Sequence, residues 1–148
     1  MRKRKSLMDK AALVSRTNVR IRFSETDAMG IVWHGNYARF FEDGREAFGH
    51  EFGLDYMSVR NEGYTIPVVE MTCSYRKSLT FGEEITVVTG LVPCEAAKIQ
   101  FEYAIYRASD NELMASGSTV QVFLDLEGQL QLVCPGFYQQ WKRKWNII

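Results

Sequence analysis

Cysteine, histidine and proline are scarce in this 148-residue chain, at three, two and three residues. Cys73, Cys94 and Cys134 are odd in number and widely spaced, with no C-x-x-C pair. That excludes a disulfide framework or a zinc site as the plain reading and favours a reducing, cytoplasmic setting. His34 and His50 lack metal-ligand spacing, so no metal and no cofactor are expected. An excess of one charge is also missing: 18 basic residues balance 18 acidic ones, and no global field draws the chain to nucleic acid. No apolar run approaches the length of a membrane span, so no integral membrane segment is expected. Arg2, Lys3, Arg4 and Lys5 open the chain, but Asp9 and Lys10 break the apolar stretch that a signal peptide requires. Residues 1–16 therefore read as a flexible basic tail. With no repeat and no Pro/Gly-rich linker, residues 17–148 read as a single domain, long enough to bury a sizeable core.

What is present is patterned. Val19, Ile21 and Phe23 alternate with Arg20, Arg22 and Ser24, which predicts a half-buried strand ending near Ser24. From Asn36 to about His50 the period changes. Tyr37, Phe40, Phe41, Gly44 and Phe48 fall on one helical face, and Asn36 stands at the N-cap position. Gly44 in mid-helix costs about 1 kcal/mol relative to alanine, which the close approach of a neighbouring strand would explain. Residues 54–61 suit a short second helix.

Strands then resume. Residues 66–76 carry Val69, Met71, Cys73 and Tyr75 on one face, read as core. Turns at Phe81-Gly82-Glu83, Pro93-Cys94-Glu95 and Ser109-Asp110-Asn111 separate Ile85/Val87/Thr89/Leu91, Ile99/Phe101/Tyr103/Ile105 and a last long strand over 113–125. A terminal helix from about Pro135 to Lys144 has proline at its start. Strand, long helix and four antiparallel strands with short turns predict an α+β fold: a meander wrapped around the helix 36–50. The uncovered edges and the surplus of aromatic residues imply a second subunit.

The loop between first strand and long helix carries the chemistry. It holds Asp27, Gly30 and His34 just ahead of a helix start whose first N–H groups lack intrahelical partners and carry partial positive charge. A carboxylate beside free amides suits attack on a polarised carbonyl. Read alone, Asp27 is equally a turn aspartate capping its own loop. Glu42 and Arg45, three apart, read as a surface ion pair. Cys73 has no histidine near it in sequence and is a poor nucleophile.

The run Asp27-x-x-Gly30-x-Val32-Trp33-His34-x-Asn36-Tyr37, with Phe40-Phe41-Glu42 and Arg45, resembles the acyl-CoA thioesterases of the 4-hydroxybenzoyl-CoA thioesterase type. It is especially similar to the small bacterial members associated with the Tol–Pal system. Tyr75-Arg76-Lys77-Ser78-Leu79-Thr80-Phe81-Gly82-Glu83 matches the family's turn before the third strand. The likeness covers roughly residues 17–135. It implies the hotdog fold, a long central helix wrapped by an antiparallel five- to six-stranded sheet, assembled as a homodimer or homotetramer.

It also implies hydrolysis of a small or medium acyl-CoA. Asp27 is then the essential carboxylate, either the nucleophile or the base that activates water. The His34 amide faces the thioester oxygen, and the His34 side chain orients water or the acyl group. Gly30, Val32, Trp33, Asn36 and Tyr37 would bind substrate, and Arg76 and Lys98 would meet coenzyme A phosphates. Met29, Trp33, Phe52 and Met57 suggest an apolar acyl pocket. Gln129 and Gln131 stand where relatives often have basic residues, which motivates an alternative, a non-hydrolytic acyl-CoA or acyl-carrier-protein binding module. A hotdog dehydratase is the third reading, disfavoured because Asp27 precedes the histidine.

Overall fold

The computed structural model describes residues 7–147. The elements are β1 (Leu13–Arg20), α1 (Tyr37–Phe52), α2 (Tyr56–Asn61), β2 (Tyr64–Thr65), β3 (Val68–Tyr75), β4 (Glu84–Val92), β5 (Lys98–Arg107), β6 (Glu112–Val122), β7 (Leu124–Asp125) and α3 (Gly136–Lys144). Single 3₁₀ turns lie at Leu7–Lys10, Phe23–Glu25 and His34–Asn36. This is the hotdog architecture, one long helix against an antiparallel sheet.

β1 begins at Leu13 and pairs along its whole length with β4, from Leu13↔Leu91 to Arg20↔Glu84. Regular structure therefore starts before residue 17, inside the stretch read as tail; residues 1–6 of that stretch lie outside the described residues. The strand also ends earlier than expected. Ile21 is buried, but Phe23 turns outward in a 3₁₀ turn, three-quarters exposed.

The sheet order is β1-β4-β5-β6-β3, with β2 and β7 forming a separate ribbon. Only β4, β5 and β6 follow as a meander; β3 is not beside β4 as chain order suggested. The reason lies in α2 and β2. They carry the chain to β7, which directly continues β6, and β2 pairs there through Tyr64↔Asp125. The next strand, β3, is thereby laid along β6, with Cys73↔Gly117 and Tyr75↔Ala115 in register. β3 becomes an edge. Its Val69 and Met71 are 60% and 48% exposed, so that half of the face read as core is open in this chain, while Cys73 packs partly against the core.

α1 buries the face anticipated for it, with Tyr37, Phe40, Phe41, Gly44 and Phe48 all inside. Phe41 stacks on Tyr103 with centroids 4.4 Å apart, and Phe48 meets Phe101 edge-on at 4.9 Å. Gly44 lets the helix lie on β4: a Cβ there would sit 2.2 Å from Thr89 Oγ1 and 3.0 Å from Val87 Cγ1. The far end of α1 is closed by Gly53 in the left-handed region (φ 74°), and the Phe52 carbonyl accepts from the indole N–H groups of Trp141 (2.7 Å) and Trp145 (3.1 Å). α3 thus seals the end opposite the Asp27 loop. No helix among the described residues is long and apolar enough to cross a membrane.

Candidate active site

The loop between β1 and α1 is a small hairpin built from its own backbone. Thr26 bridges Val32, the Asp27 N–H donates to Ile31 O (2.8 Å), and the Gly30 N–H returns to Asp27 O (2.9 Å). Gly30 supplies the left-handed φ of 78° that this turn requires. One oxygen of Asp27, Oδ1, accepts the Met29 N–H at 2.8 Å; no partner for Oδ2 occurs among the described residues. Asp27 is therefore a turn residue and also a half-buried carboxylate with a free acceptor. The two readings of the sequence are not exclusive.

The return arm ties this hairpin to the sheet and to α1. Ile31 bridges Thr80, and the Val32 N–H donates to Leu79 O (2.8 Å). The Glu25 carbonyl accepts twice, from the Trp33 N–H (3.0 Å) and from Asn36 Nδ2 (2.8 Å). Asn36 sits at the cap position, but its side chain bonds the loop rather than a helical N–H. Glu25 is itself buried and reaches back to the Arg22 N–H through Oε1 (2.7 Å).

Between Trp33 and α1 runs the turn His34–Asn36. The backbone N–H groups of His34 and Gly35 find no acceptor among the described residues. Their peptide carbonyls are both engaged. Trp33 O accepts the Asn36 N–H (2.9 Å), while His34 O accepts the Tyr37 N–H and the Tyr75 hydroxyl (2.8 Å). Gly35 is bare for a steric reason: a Cβ there would lie 2.3 Å from the Trp33 ring.

The remaining expected site residues divide. Gly30, Trp33 and the His34 side chain lie exposed on this loop, and His34 lies beside Trp33 and Tyr75 with ring centroids at 5.1 and 6.4 Å. Val32 and Tyr37 belong to the core. Burial, then the neighbouring Cys73, Tyr75 and Glu83, push the Tyr37 hydroxyl up to about 12. Arg76 follows β3 at the loop's end of the sheet. Lys98 opens β5 opposite Val122, at the other end. Seven residues of β5 separate Lys98 from Ile105, the position in line with Tyr75, or roughly 24 Å. One chain does not bring Lys98 to Asp27.

Phe52 does not join Met29 and Trp33 either; it packs on Phe48 (4.7 Å) and Trp145 (5.1 Å) at the far end of α1. Arg45 makes no ion pair with Glu42 among the described residues. It points inward to the Tyr103 hydroxyl (3.1 Å), which is bonded to Thr119 Oγ1 (2.6 Å). Burial pushes the Cys73 thiol up, which disfavours a thiolate.

A groove of about 800 Å³ runs between β1 and α1 past Arg20, Arg22, Asp43, Glu46, His50 and Phe81, and one of about 250 Å³ lies between α2 and α3. Neither includes Asp27 or His34. The hairpin instead opens beside the bare edge of β3, with Met29 and Trp33 77% and 50% exposed. Sequence reasoning gave no separate role to Glu25 or Tyr75, whose contacts with the loop span 11 and 41 residues and leave no local signal.

Comparison with known proteins gives this geometry a family. The Bacillus subtilis putative acyl-CoA thioesterase YneP is 34% identical over 114 residues, 77% of this chain and 82% of that protein. Acyl-CoA thioesterase YbgC of Haemophilus influenzae is 30% identical over 105 residues, 70% of this chain and 75% of its own. The crystal structure of DHNA-CoA thioesterase from Staphylococcus aureus superposes with a TM-score of 0.80 at 27% identity, covering 88% of this chain and 89% of that one. The family model described as the thioesterase-like superfamily matches residues 21–141, a span that contains the hairpin, α1 and every strand from β2 to β7, and the chain belongs to that superfamily.

Proposed function

We propose that this protein hydrolyses the thioester of a small or medium acyl-CoA, with Asp27 as the working carboxylate and the amides at the entry of α1 as the oxyanion site. One observation carries the reading: the single connection from β1 to α1 holds a carboxylate oxygen and two backbone N–H groups that find no partner among the described residues. Buried or substrate-covered donors rarely stay unpaired, so such N–H groups suit an oxygen that arrives with the substrate. As the carbonyl carbon becomes tetrahedral, its oxygen gains charge, and a preorganised donor contributes roughly 3 kcal/mol there. Asp27 Oδ2 either attacks that carbon, forming a mixed anhydride that water then opens, or takes a proton from the attacking water. The coenzyme A thiolate is a good leaving group, so no strong general acid is required.

The open β3 edge supports a homodimer as the working unit. Two copies pairing antiparallel along β3 would cover Val69 and Met71 and extend the sheet across the two-fold axis. Antiparallel pairing reverses the second sheet. The end of the partner's sheet that begins its β5 then lies toward this chain's Asp27 loop. Lys98 would thereby serve the neighbouring site as a phosphate contact, while Arg76 serves its own. Trp33, Met29 and the His34 ring would line the acyl entrance between the two copies.

The test is a panel of acyl-CoAs assayed by release of free thiol. Asp27→Asn keeps an oxygen for the Met29 N–H, so the hairpin and the oligomer should survive. Turnover should fall about 10³-fold, within the range for a positioned acid–base group. Full activity in that variant would remove Asp27 from its role. Tight acyl-CoA binding by the unmodified protein without thiol release would favour a binding module instead.

A further inference from the structure

We infer that Tyr75 is a positioning residue for the oxyanion site, its hydroxyl holding the His34 carbonyl so that the Gly35 N–H faces the thioester oxygen. This rests on the reading of the α1 entry given above and adds the residue that aims one of its two amides.

The argument begins with the peptide between His34 and Gly35. In a trans peptide the C=O and the following N–H point in opposite directions. Fixing the His34 carbonyl toward β3 therefore fixes the Gly35 N–H away from β3. The residue after that carbonyl is glycine, which tolerates either sign of φ, so a flip of this peptide meets little local resistance. The neighbouring chain must supply the restraint. The Tyr75 hydroxyl does so at 2.8 Å from a position 41 residues away, alongside the Tyr37 N–H on the same oxygen.

A donor on the carbonyl also polarises its own peptide and strengthens the N–H at the other end. Tyr75 is well placed to keep this bond. It is the last residue of β3, in register with Ala115, and its ring meets Tyr37 edge-on at 4.8 Å. Burial and the adjacent Cys73 thiol push its hydroxyl above the usual phenol range, so it keeps its proton and stays a donor at neutral pH.

Tyr75→Phe removes the hydroxyl and leaves the ring packing, so the fold should be retained, as circular dichroism and sedimentation would report. With whichever of benzoyl-CoA or octanoyl-CoA the unmodified enzyme turns over faster, kcat should fall about tenfold while KM changes by less than about twofold, the signature of a lost transition-state interaction. A direct readout avoids turnover. The same acyl-CoA, carbon-13 labelled at the carbonyl, is bound to Asp27→Asn and its carbonyl stretch recorded by difference infrared spectroscopy. The band should lie below its frequency in solution, and adding Tyr75→Phe should return it at least halfway. An unchanged band in the double variant, or an unchanged kcat with raised KM in Tyr75→Phe, overturns the role of Tyr75 and leaves the oxyanion reading standing. No lowering in Asp27→Asn itself overturns both.

Discussion

Asn36 donates from Nδ2 to the carbonyl of Glu25 at 2.8 Å, joining the entry of α1 to the strand side of the hairpin that presents Asp27. The carboxylate lies two residues beyond Glu25, and the free amides lie one and two residues before Asn36. With the Trp33 N–H on the same carbonyl, this side-chain amide closes a ring between the Asp27 carboxylate and those amides, the proposed acid and oxyanion donors. Small displacements in such a geometry are costly to catalysis, because preorganised groups act only when aligned.

Asn36→Ala should accordingly lower kcat about tenfold, or ~1.4 kcal/mol of transition-state stabilisation, with a smaller effect on KM. The Trp33 N–H still holds the Glu25 carbonyl, so the loop should loosen rather than unfold. Steady-state kinetics beside a thermal melt checks this, and a kcat within error of the parent would show that the tether is dispensable.

Gly44→Ala should destabilise the protein although alanine favours helix by about 1 kcal/mol. The added methyl meets Thr89 Oγ1 at 2.2 Å, and overpacking of this kind costs about 1–3 kcal/mol. Thr89→Ala removes the clash together with a buried hydroxyl that has no hydrogen-bond partner among the described residues. The double variant should be more stable than Gly44→Ala alone, by urea unfolding of the parent and all three variants. Strictly additive effects would contradict the contact.

Met71→Lys places a charge on the open edge of β3 and should shift the assembly toward single chains at micromolar concentration, as sedimentation velocity would measure. Activity should fall in parallel, since the proposed acyl entrance forms between two copies. An unchanged sedimentation profile would remove the β3 edge from the proposed interface.

Glu102→Gln should stabilise the fold at neutral pH. Glu102 lies on β5 with Oε1 buried and unpaired among the described residues, and burial raises its carboxyl above the ordinary value. A carboxyl raised on folding favours the native state below its unfolded pKa, and that contribution is lost as pH rises through the folded one. The gain from Glu102→Gln, about 1 kcal/mol for relieving a poorly satisfied charge, should be present at pH 7–8, shrink as pH falls through the raised folded value, and be nearly gone below about pH 4.5. Denaturant unfolding across that range decides it; a gain independent of pH would trace the effect to packing.

Much was legible in the chain itself. Period-two alternation marked the core-facing residues of β4 and β5, Ile85 to Leu91 and Ile99 to Ile105, because side chains of a strand point alternately to its two faces. Period-3.6 spacing marked the buried face of α1. The mid-helix Gly44 announced a close strand, and β4 supplies it through Thr89. The run from Asp27 to Tyr37 carries the family resemblance in its residues alone. These are short-range signals, carried by neighbours in sequence.

Tertiary structure decided the rest. Whether β3 lies beside β4 or β6 depends on where α2 and β2 deliver the chain, and alternation within β3 is the same in either place. Its exposure follows from that choice. Arg76 and Lys98, two bases that look equivalent as letters, stand at opposite ends of one sheet because β3 and β5 both lie antiparallel to β6. The bonds of Asn36 to Glu25 and of Tyr75 to His34 join residues that no local pattern relates; they form only once the sheet has closed on the helix and brought the end of β3 to the entry of α1.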